Sequence, residues 1–165
     1  MKSRSTTICA VRRNGQVAIA GDGQITLGDT MVKQKTVKLR TARNGQVLVG
    51  YVGAAADSLA LFERLEAKLD EVKQWRMDRA LRRLEAMLIV ADRETLLLVS
   101  GTGDIIVPDG DVLTVGSGGG YAQAAAETML RHTEMSAEEI AREAVLVASK
   151  ICIYTNDQIT VEVLK

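Results

Sequence analysis

Short segments rich in apolar residues follow one another in the first third of the chain, and Asn-Gly pairs separate them. An Asn-Gly pair between two such segments favours a tight hairpin turn in which both residues take a positive φ. Two hairpins are therefore predicted. Their strands cover residues 6–13 and 16–21 around Asn14 and Gly15, and residues 35–40 and 46–52 around Asn44 and Gly45.

The middle of the chain has the apolar spacing of helices. Within residues 54–71, one set of positions falls at intervals of four, three and four, which places them on a single helix face. These positions are Ser58, Phe62, Leu65 and Leu69. A second helical stretch, rich in Arg and Leu, is predicted over residues 72–85.

The remainder of the chain predicts a meander, two helices and a closing strand. Ser136 and Glu139 have the spacing of a capping box, so a helix is predicted to begin there and to run to about residue 150. An earlier helix is predicted over residues 121–131. The predicted strands are residues 87–92, 96–100, 104–107, 112–115 and 159–163.

Several predicted strands are apolar on both faces, for example residues 17–20 and 87–91, so both faces need cover. The Asn-Gly turns require antiparallel pairing, although an antiparallel sheet usually keeps one face in water. Two stacked sheets with helices outside satisfy both conditions. The sequence therefore predicts an α+β fold: a four-layer α-β-β-α sandwich of two mainly antiparallel sheets in a single domain.

Composition narrows the functional classes. The 165 residues carry 21 basic and 21 acidic side chains without a basic block, which argues against nucleic acid as the main partner. No apolar run approaches about 18 residues, so no membrane span is expected. Two cysteines, Cys9 and Cys152, are too few for a disulfide framework and indicate a reducing compartment. A cytoplasmic location is predicted.

The chain has a single histidine, which limits its chemistry. His132 ends a helical pattern, where a solvated side chain or one facing the helix dipole is expected. An imidazole-rich zinc site is excluded, and a Ser-His-Asp triad would depend on this one residue. A hydrolase built from this sequence would need another nucleophile and another base.

Residues 116–120, Gly-Ser-Gly-Gly-Gly, lie between a predicted strand and a predicted helix. Backbone N–H groups there could hold an anion, but the run matches neither G-x-G-x-x-G nor the P-loop pattern. The favoured interpretation is a tight turn that lets the helix pack closely on its strand. No nucleotide site is predicted, and Ser117 lies at the mouth of a sheet.

Three residues near the first strands could supply hydrolytic chemistry. Lys38, inside the third predicted strand, is either a surface residue or a buried cation, and a buried cation would need Asp22 as its carboxylate partner. Thr6 becomes N-terminal if five residues are removed. A free α-amino group has a reference pKa of about 8, so it can act as the general base for a hydroxyl nucleophile.

Segments spread over nearly the whole chain resemble the HslV (ClpQ) family, bacterial peptidases similar to proteasome β-subunits. The resemblance implies an N-terminal-nucleophile hydrolase that acts as a threonine endopeptidase. The matching segments are residues 6–8, 12–17, 20–24, Lys38, Gly45, 61–63, 75–76, 78–81, 84–92, 116–119 and 154–156.

The resemblance also implies roles for individual residues. Thr6 would be the nucleophile and its own amine the base once the leader, residues 1–5, has been removed, which leaves residues 6–165 as the peptidase domain. Lys38 would keep the pKa of that amine low and stabilise negative charge. Asp22 would hold the lysine in place.

Further roles implied by the resemblance involve the main chain. The Gly50 N–H would donate to the oxyanion of the tetrahedral intermediate, and Ser117 would complete the hydrogen bonds around the amine. Family members also hold a sodium-type monovalent cation through backbone carbonyls, here those of Ser149, Cys152 and Thr155. Hard cations favour such oxygens.

The resemblance implies an assembly and a partner as well. Proteins of this family form two stacked hexameric rings, a dodecamer whose active sites face an inner chamber. A partner AAA+ ATPase of the HslU type unfolds protein substrates and feeds them in. This agrees with the missing P-loop, since the partner would use the ATP.

Two departures from the family pattern affect these expectations. Lys2 is too large for ordinary removal of Met1 alone, so the threonine requires cleavage after Ser5, and Ser3 or Ser5 stays an alternative nucleophile. Near residues 71–72 the chain is shorter than the family by roughly a dozen residues, about three helical turns. That loss would affect docking of the ATPase more than peptide hydrolysis.

Two other functions remain compatible with the sequence. A related N-terminal-nucleophile amidase would act on a small amide through a narrow pocket and would not respond to an unfoldase. A ring-forming scaffold that keeps its leader would retain Thr6 without exposing the amine, and would be catalytically silent.

Overall fold

The structure, a computed structural model, describes residues 6–68 and 85–164. These ranges contain eleven strands and three helices. In chain order they are β1 (Thr7–Arg13), β2 (Gln16–Asp22), β3 (Ile25–Leu27), β4 (Thr30–Lys33), β5 (Leu39–Ala42), β6 (Val47–Gly53), α1 (Ala55–Lys68), β7 (Ala86–Ala91), β8 (Leu96–Ser100), β9 (Ile105–Ile106), β10 (Val112–Gly116), α2 (Gly119–His132), α3 (Ala137–Ser149) and β11 (Ile159–Leu164).

Two antiparallel sheets stack face to face. One has the strand order β10-β1-β2-β11 and the other β5-β6-β7-β8-β9. Along β1, Ile8 and Ala10 belong to the core between the sheets, while Cys9 and Val11 pack with α2 and α3. A third apolar cluster lies between the second sheet and α1. The predicted α-β-β-α sandwich is confirmed.

The first Asn-Gly turn forms as predicted, with φ of 51° at Asn14 and 76° at Gly15. The second differs, because four residues, 43–46, connect Ala42 to Val47.

The strand before that second turn is shorter than predicted, so Lys38 precedes β5 instead of lying inside a strand. The physical reason is a different pairing of this segment, since the Thr36 N–H donates to the Gly23 carbonyl at 3.0 Å.

Sequence reasoning missed the small hairpin of β3 and β4. Gly28 turns it with a φ of 58°, and all four residues of β4 are exposed. A strand without a buried face carries no alternation of apolar and polar residues, so no periodic signal indicated this hairpin.

The helices agree with their predicted faces. Ser58, Phe62 and Leu65 are buried on α1, whereas Leu69 and the predicted helical stretch up to residue 84 lie outside the described residues. No helix within the described ranges is long and apolar enough to cross a membrane.

The single histidine also lies where predicted. His132 is exposed in the last turn of α2. Both cysteines are free thiols and buried, and burial raises the pKa of Cys9 to about 12, which leaves this thiol unreactive.

The predicted capping box at the start of α3 is present. The Glu139 N–H donates to the Ser136 hydroxyl at 3.2 Å, and the Ser136 N–H donates to the Glu139 carboxylate at 2.7 Å. The Ser136 N–H and the Ser136 hydroxyl both donate to this carboxylate and thereby lower the pKa of Glu139.

We expect Ser136→Ala to lower the melting temperature by about 2–4 °C, because the first turn of α3 loses a side-chain acceptor. Thermal unfolding followed by circular dichroism measures this shift. Ser136→Thr keeps the hydroxyl and is the matched control, expected to melt close to the parent. Equal melting of the alanine variant would show that the cap contributes nothing.

Candidate active site

The start of β1, the end of β2 and the segment before β5 meet at one end of the sandwich. Thr6 directly precedes β1, and Asp22 is the last residue of β2. The register of the hairpin pairs Ile8 with Gly21, which brings Asp22 beside Thr7. The Thr7 N–H donates to Asp22 Oδ1 at 2.7 Å.

Lys38 and Asp22 form a buried ion pair, which decides between the two interpretations left open by the sequence. Lys38 Nζ lies 3.5 Å from Asp22 Oδ1, and the two side chains are 4% and 0% exposed. Burial lowers the pKa of Lys38 to about 8, and the attraction of Asp22 limits the fall. At pH 7 the side chain is therefore still mostly a cation.

Asp22 has a wider role than holding the lysine. Its Oδ2 accepts the N–H of Gln24 at 2.9 Å and the N–H of Asn156 at 3.3 Å, in addition to the Thr7 N–H on Oδ1. The carboxylate thus joins β1, β2 and the loop before β11. The sequence analysis assigned no role to Gln24 or Asn156. The signal that could have pointed to them is that both lie in segments resembling the family.

Thr6 and Lys38 line the same cavity, of about 270 Å³. Thr6 is only 2% exposed. Apolar side chains form one wall, and the Arg40 guanidinium lies 5.6 Å from the centre of the Phe62 ring. A mainly apolar cavity beside a hydroxyl and a cation can hold an apolar side chain of a peptide. The remaining lining residues are Ile25, Thr36, Tyr51, Gly53, Ser58 and Leu59.

The glycine-rich turn after β10 contacts Thr6 through its main chain. The Ser117 N–H donates to the Thr6 carbonyl at 2.9 Å. A Cβ on Gly116, where φ is 102°, would lie 1.9 Å from that same carbonyl, so only glycine fits. The run forms a tight turn between β10 and α2, as predicted. The Ser117 side chain is exposed, and its expected contact with the amine stays a prediction.

Gly50 lies in the middle of the second sheet, opposite Leu39 on β5 and Ile89 on β7. A Cβ there would lie 2.6 Å from Ile8 Cγ2, in the core between the sheets. The position therefore requires glycine for packing. Its expected donation to an oxyanion stays a prediction.

Thr7 links the first strand to the loop after α3. Its hydroxyl lies 2.7 Å from the Thr155 hydroxyl and accepts the Gly118 N–H at 2.9 Å. Sequence reasoning gave Thr7 no role, because adjacent threonines are ordinary in a strand.

The residues expected to hold a cation follow one another at the end of α3. Ser149 is the last helical residue, and Cys152 and Thr155 lie in the next turns. The Cys152 carbonyl accepts the Thr155 N–H at 3.1 Å, and the described residues donate no hydrogen bond to the carbonyls of Ser149 and Thr155. Carbonyl oxygens at a helix C-terminus carry partial negative charge, which fits a monovalent cation.

Side-chain ligands give no competing metal site, since the described residues contain no cluster of three His, Cys, Asp or Glu side chains suited to a metal ion. The cation site remains a prediction from the resemblance.

Comparisons with known proteins agree over nearly the whole length of the chain. Residues 2–74 and 71–164 match the family model described as "Proteasome subunit". A protein named ATP-dependent protease subunit HslV from Aquifex aeolicus is 53% identical over 174 aligned positions, covering 98% of this chain and 99% of that protein. The protein of the same name from Desulfovibrio desulfuricans is 50% identical over 177 positions, covering 99% and 100%.

A solved structure is similar as well. The crystal structure of eukaryotic HslV from Trypanosoma brucei superimposes with a TM-score of 0.87 and is 40% identical. The match covers 96% of this chain and 99% of that one.

Proposed function

The chain belongs to the HslV group of the proteasome family and is a threonine peptidase subunit of an ATP-dependent protease, and on this premise we propose that Thr6 is its nucleophile. The observation that carries the proposal is the cavity that Thr6 shares with the buried cation of Lys38. The described residues offer one histidine, His132, and it lies exposed at the end of α2.

The proposed reaction proceeds through an ester. With residues 1–5 removed, the free amine of Thr6 takes the hydroxyl proton while Oγ1 bonds to the carbonyl carbon of the substrate peptide. The C–N bond then breaks, and the amine returns the proton to the departing nitrogen. Water, deprotonated by the same amine, hydrolyses the ester and restores the hydroxyl.

Lys38 supports this cycle through its charge. A cation near the α-amine disfavours protonation and lowers the pKa of the amine, which increases its neutral fraction at pH 7. Asp22 keeps the ammonium in place. Gly50 and Ser117 are proposed to donate hydrogen bonds, to the oxyanion and around the amine respectively. One preorganised oxyanion donor is typically worth about 3–4 kcal/mol.

A monovalent cation of the sodium type is proposed for the carbonyls of Ser149, Cys152 and Thr155. When bound, it would be coordinated by these oxygens and would fix the loop after α3. Support comes from the carbonyls of Ser149 and Thr155, to which the described residues donate no hydrogen bond. The hydroxyl pair between Thr7 and Thr155 connects this loop to the strand of the nucleophile.

The assembly and partner are proposed from the family. Membership of the proteasome family implies a proteasome-like oligomer, and we propose two stacked hexameric rings. The proposed partner is an HslU-type AAA+ ATPase that delivers unfolded proteins in the cytoplasm. The alignment with the Aquifex protein spans 174 positions, more than the 165 residues of this chain, so that relative carries residues lacking here. We propose that these residues are missing near residues 71–72, a position outside the described residues.

Leader removal is supported by the backbone of Thr6. Its φ of 102° is unfavourable for a β-branched residue, because the preceding carbonyl crowds the side chain. A Thr6 without a preceding residue has no such conflict.

The intact mass of the purified protein tests the proposal, combined with cleavage of a fluorogenic peptide. We expect a mass lacking Met1 to Ser5 in active protein. A full-length mass together with turnover would contradict the amine as base, and would favour a serine hydroxyl or another mechanism. A full-length mass without turnover would favour the silent scaffold.

The two alternative functions are not favoured. Identity of about half the positions with HslV proteins over nearly the full length argues against a small-amide hydrolase and against an inactive scaffold.

A further inference from the structure

We propose that Gln24 is a positioning residue for catalysis, which sets the place of the Lys38 ammonium by tying the segment after β2 to the loop after α3. The inference rests on the proposed function of Thr6 and Lys38. It concerns a residue to which the resemblance assigned no role.

The first step is that Lys38 depends on the main chain of Gln24. The ammonium donates a hydrogen bond to the Gln24 carbonyl, whereas its distance to Asp22 Oδ1 is 3.5 Å. The Gln24 carbonyl is thus an acceptor for the ammonium in addition to the Asp22 carboxylate. Any shift of the main chain at Gln24 therefore moves the ammonium relative to Thr6.

The second step is that the Gln24 side chain holds this main chain through two hydrogen bonds. Gln24 is 6% exposed, and its amide nitrogen donates both to Thr26 Oγ1 and to the Ile153 carbonyl at 2.9 Å. Its N–H donates to Asp22 Oδ2 at the same distance. Both amide hydrogens are used, so removal of the side-chain amide frees the segment from Thr26 and from the loop together.

The third step is where Ile153 lies. It stands in the loop between Cys152 and Thr155, and the Thr155 hydroxyl contacts Thr7 next to the nucleophile. The loop therefore contacts the nucleophile strand through Thr155 and the lysine through Gln24. A buried amide in this position fixes the Lys38 ammonium relative to the strand of the nucleophile.

The effect should appear in the pH profile. Among the described residues, the charged or titratable groups that face the cavity are Lys38, Asp22 behind it, Arg40 on β5 and Tyr51 on β6. The side chains of α1 that line it are uncharged. A displaced ammonium lowers the pKa of the Thr6 amine less, so the acidic limb of activity moves to higher pH.

The test uses Gln24→Met, which keeps the length of the side chain and removes its donors, and Gln24→Asn, which keeps an amide one methylene shorter. We measure kcat, KM and the pH profile of fluorogenic peptide hydrolysis by the processed oligomer. The expected result is a kcat about tenfold lower, an acidic limb about half a pH unit higher and a KM within about twofold of the parent. The control is Gln158→Met, because the Gln158 side chain is exposed and donates a hydrogen bond to its neighbour Asp157. Its kinetics and pH profile are expected to match those of the parent.

A purely structural role predicts a different result. Ile25, beside Gln24, lines the cavity, so a loosened β3 would raise KM and leave the acidic limb where it is. That outcome, or unchanged kinetics in both variants, overturns the inference. The proposed function is unaffected as long as the parent protein hydrolyses the peptide. If Gln24→Met fails to assemble, the pH profile of Gln24→Asn decides between the positioning role and the purely structural role. Absence of hydrolysis by the processed parent would overturn the proposed function and this inference with it.

Discussion

Replacing Thr6 by alanine is expected to abolish peptide hydrolysis, with a rate at least about 10³-fold below that of the parent. The reason is that the variant keeps the terminal amine but has no oxygen to attack the carbonyl carbon. The core is not expected to change, because Thr6 precedes β1 and the strand pairing begins at Thr7. Initial rates with a fluorogenic peptide and elution from a size-exclusion column measure both effects.

Thr6→Ser is the matched control, because it keeps a hydroxyl beside the same amine, and we expect it to retain measurable activity. Ser3→Ala and Ser5→Ala should turn over normally if the threonine is the nucleophile. Normal turnover by Thr6→Ala, or its loss in one of the two serine variants, would show that the nucleophile has been assigned to the wrong residue.

Lys38→Met should lower kcat by roughly 10²- to 10³-fold, a magnitude typical of losing one preorganised electrostatic group. Methionine keeps an apolar stem in the buried site and removes the charge. The acidic limb of the pH profile should move to higher pH, since the amine then holds its proton more tightly. The N–H groups of Thr7, Gln24 and Asn156 still satisfy Asp22, so the fold is expected to persist.

Lys35→Met is the control for this substitution. It removes the same charge three positions away, from an exposed side chain that does not line the cavity. We expect its activity and pH profile to match the parent. Retained activity with an unshifted profile in Lys38→Met would contradict the role of the cation.

The sequence predicted best those parts of the fold that local chemistry controls. The Asn14-Gly15 turn and the Ser136-Glu139 cap involve residues at most three positions apart, and both formed as expected. The segment before β5 was misjudged because Thr36 bonds to Gly23, 13 residues earlier in the link between β2 and β3. Local alternation cannot report such a contact.

The same distinction applies to the candidate site. Asp22 was recognised as the possible partner of Lys38 because the hairpins bring their strand ends together. The contacts of Asn156 with Asp22 and of Thr155 with Thr7 span 134 and 148 residues along the chain. They depend on the order of strands in the first sheet, which no local pattern encodes.

The position of Thr6 one residue before a central strand has a consequence for the entropy of the reaction. Chain ends ordinarily fray, but from Thr7 onward β1 pairs with β10 on one side, and from Ile8 onward it also pairs with β2 on the other. A new terminus created at Thr6 would therefore lose little orientational freedom when a substrate arrives, because folding has already restricted it. The relative position of nucleophile and base would then be maintained whenever the sheet is folded. No loop would have to close in each turnover.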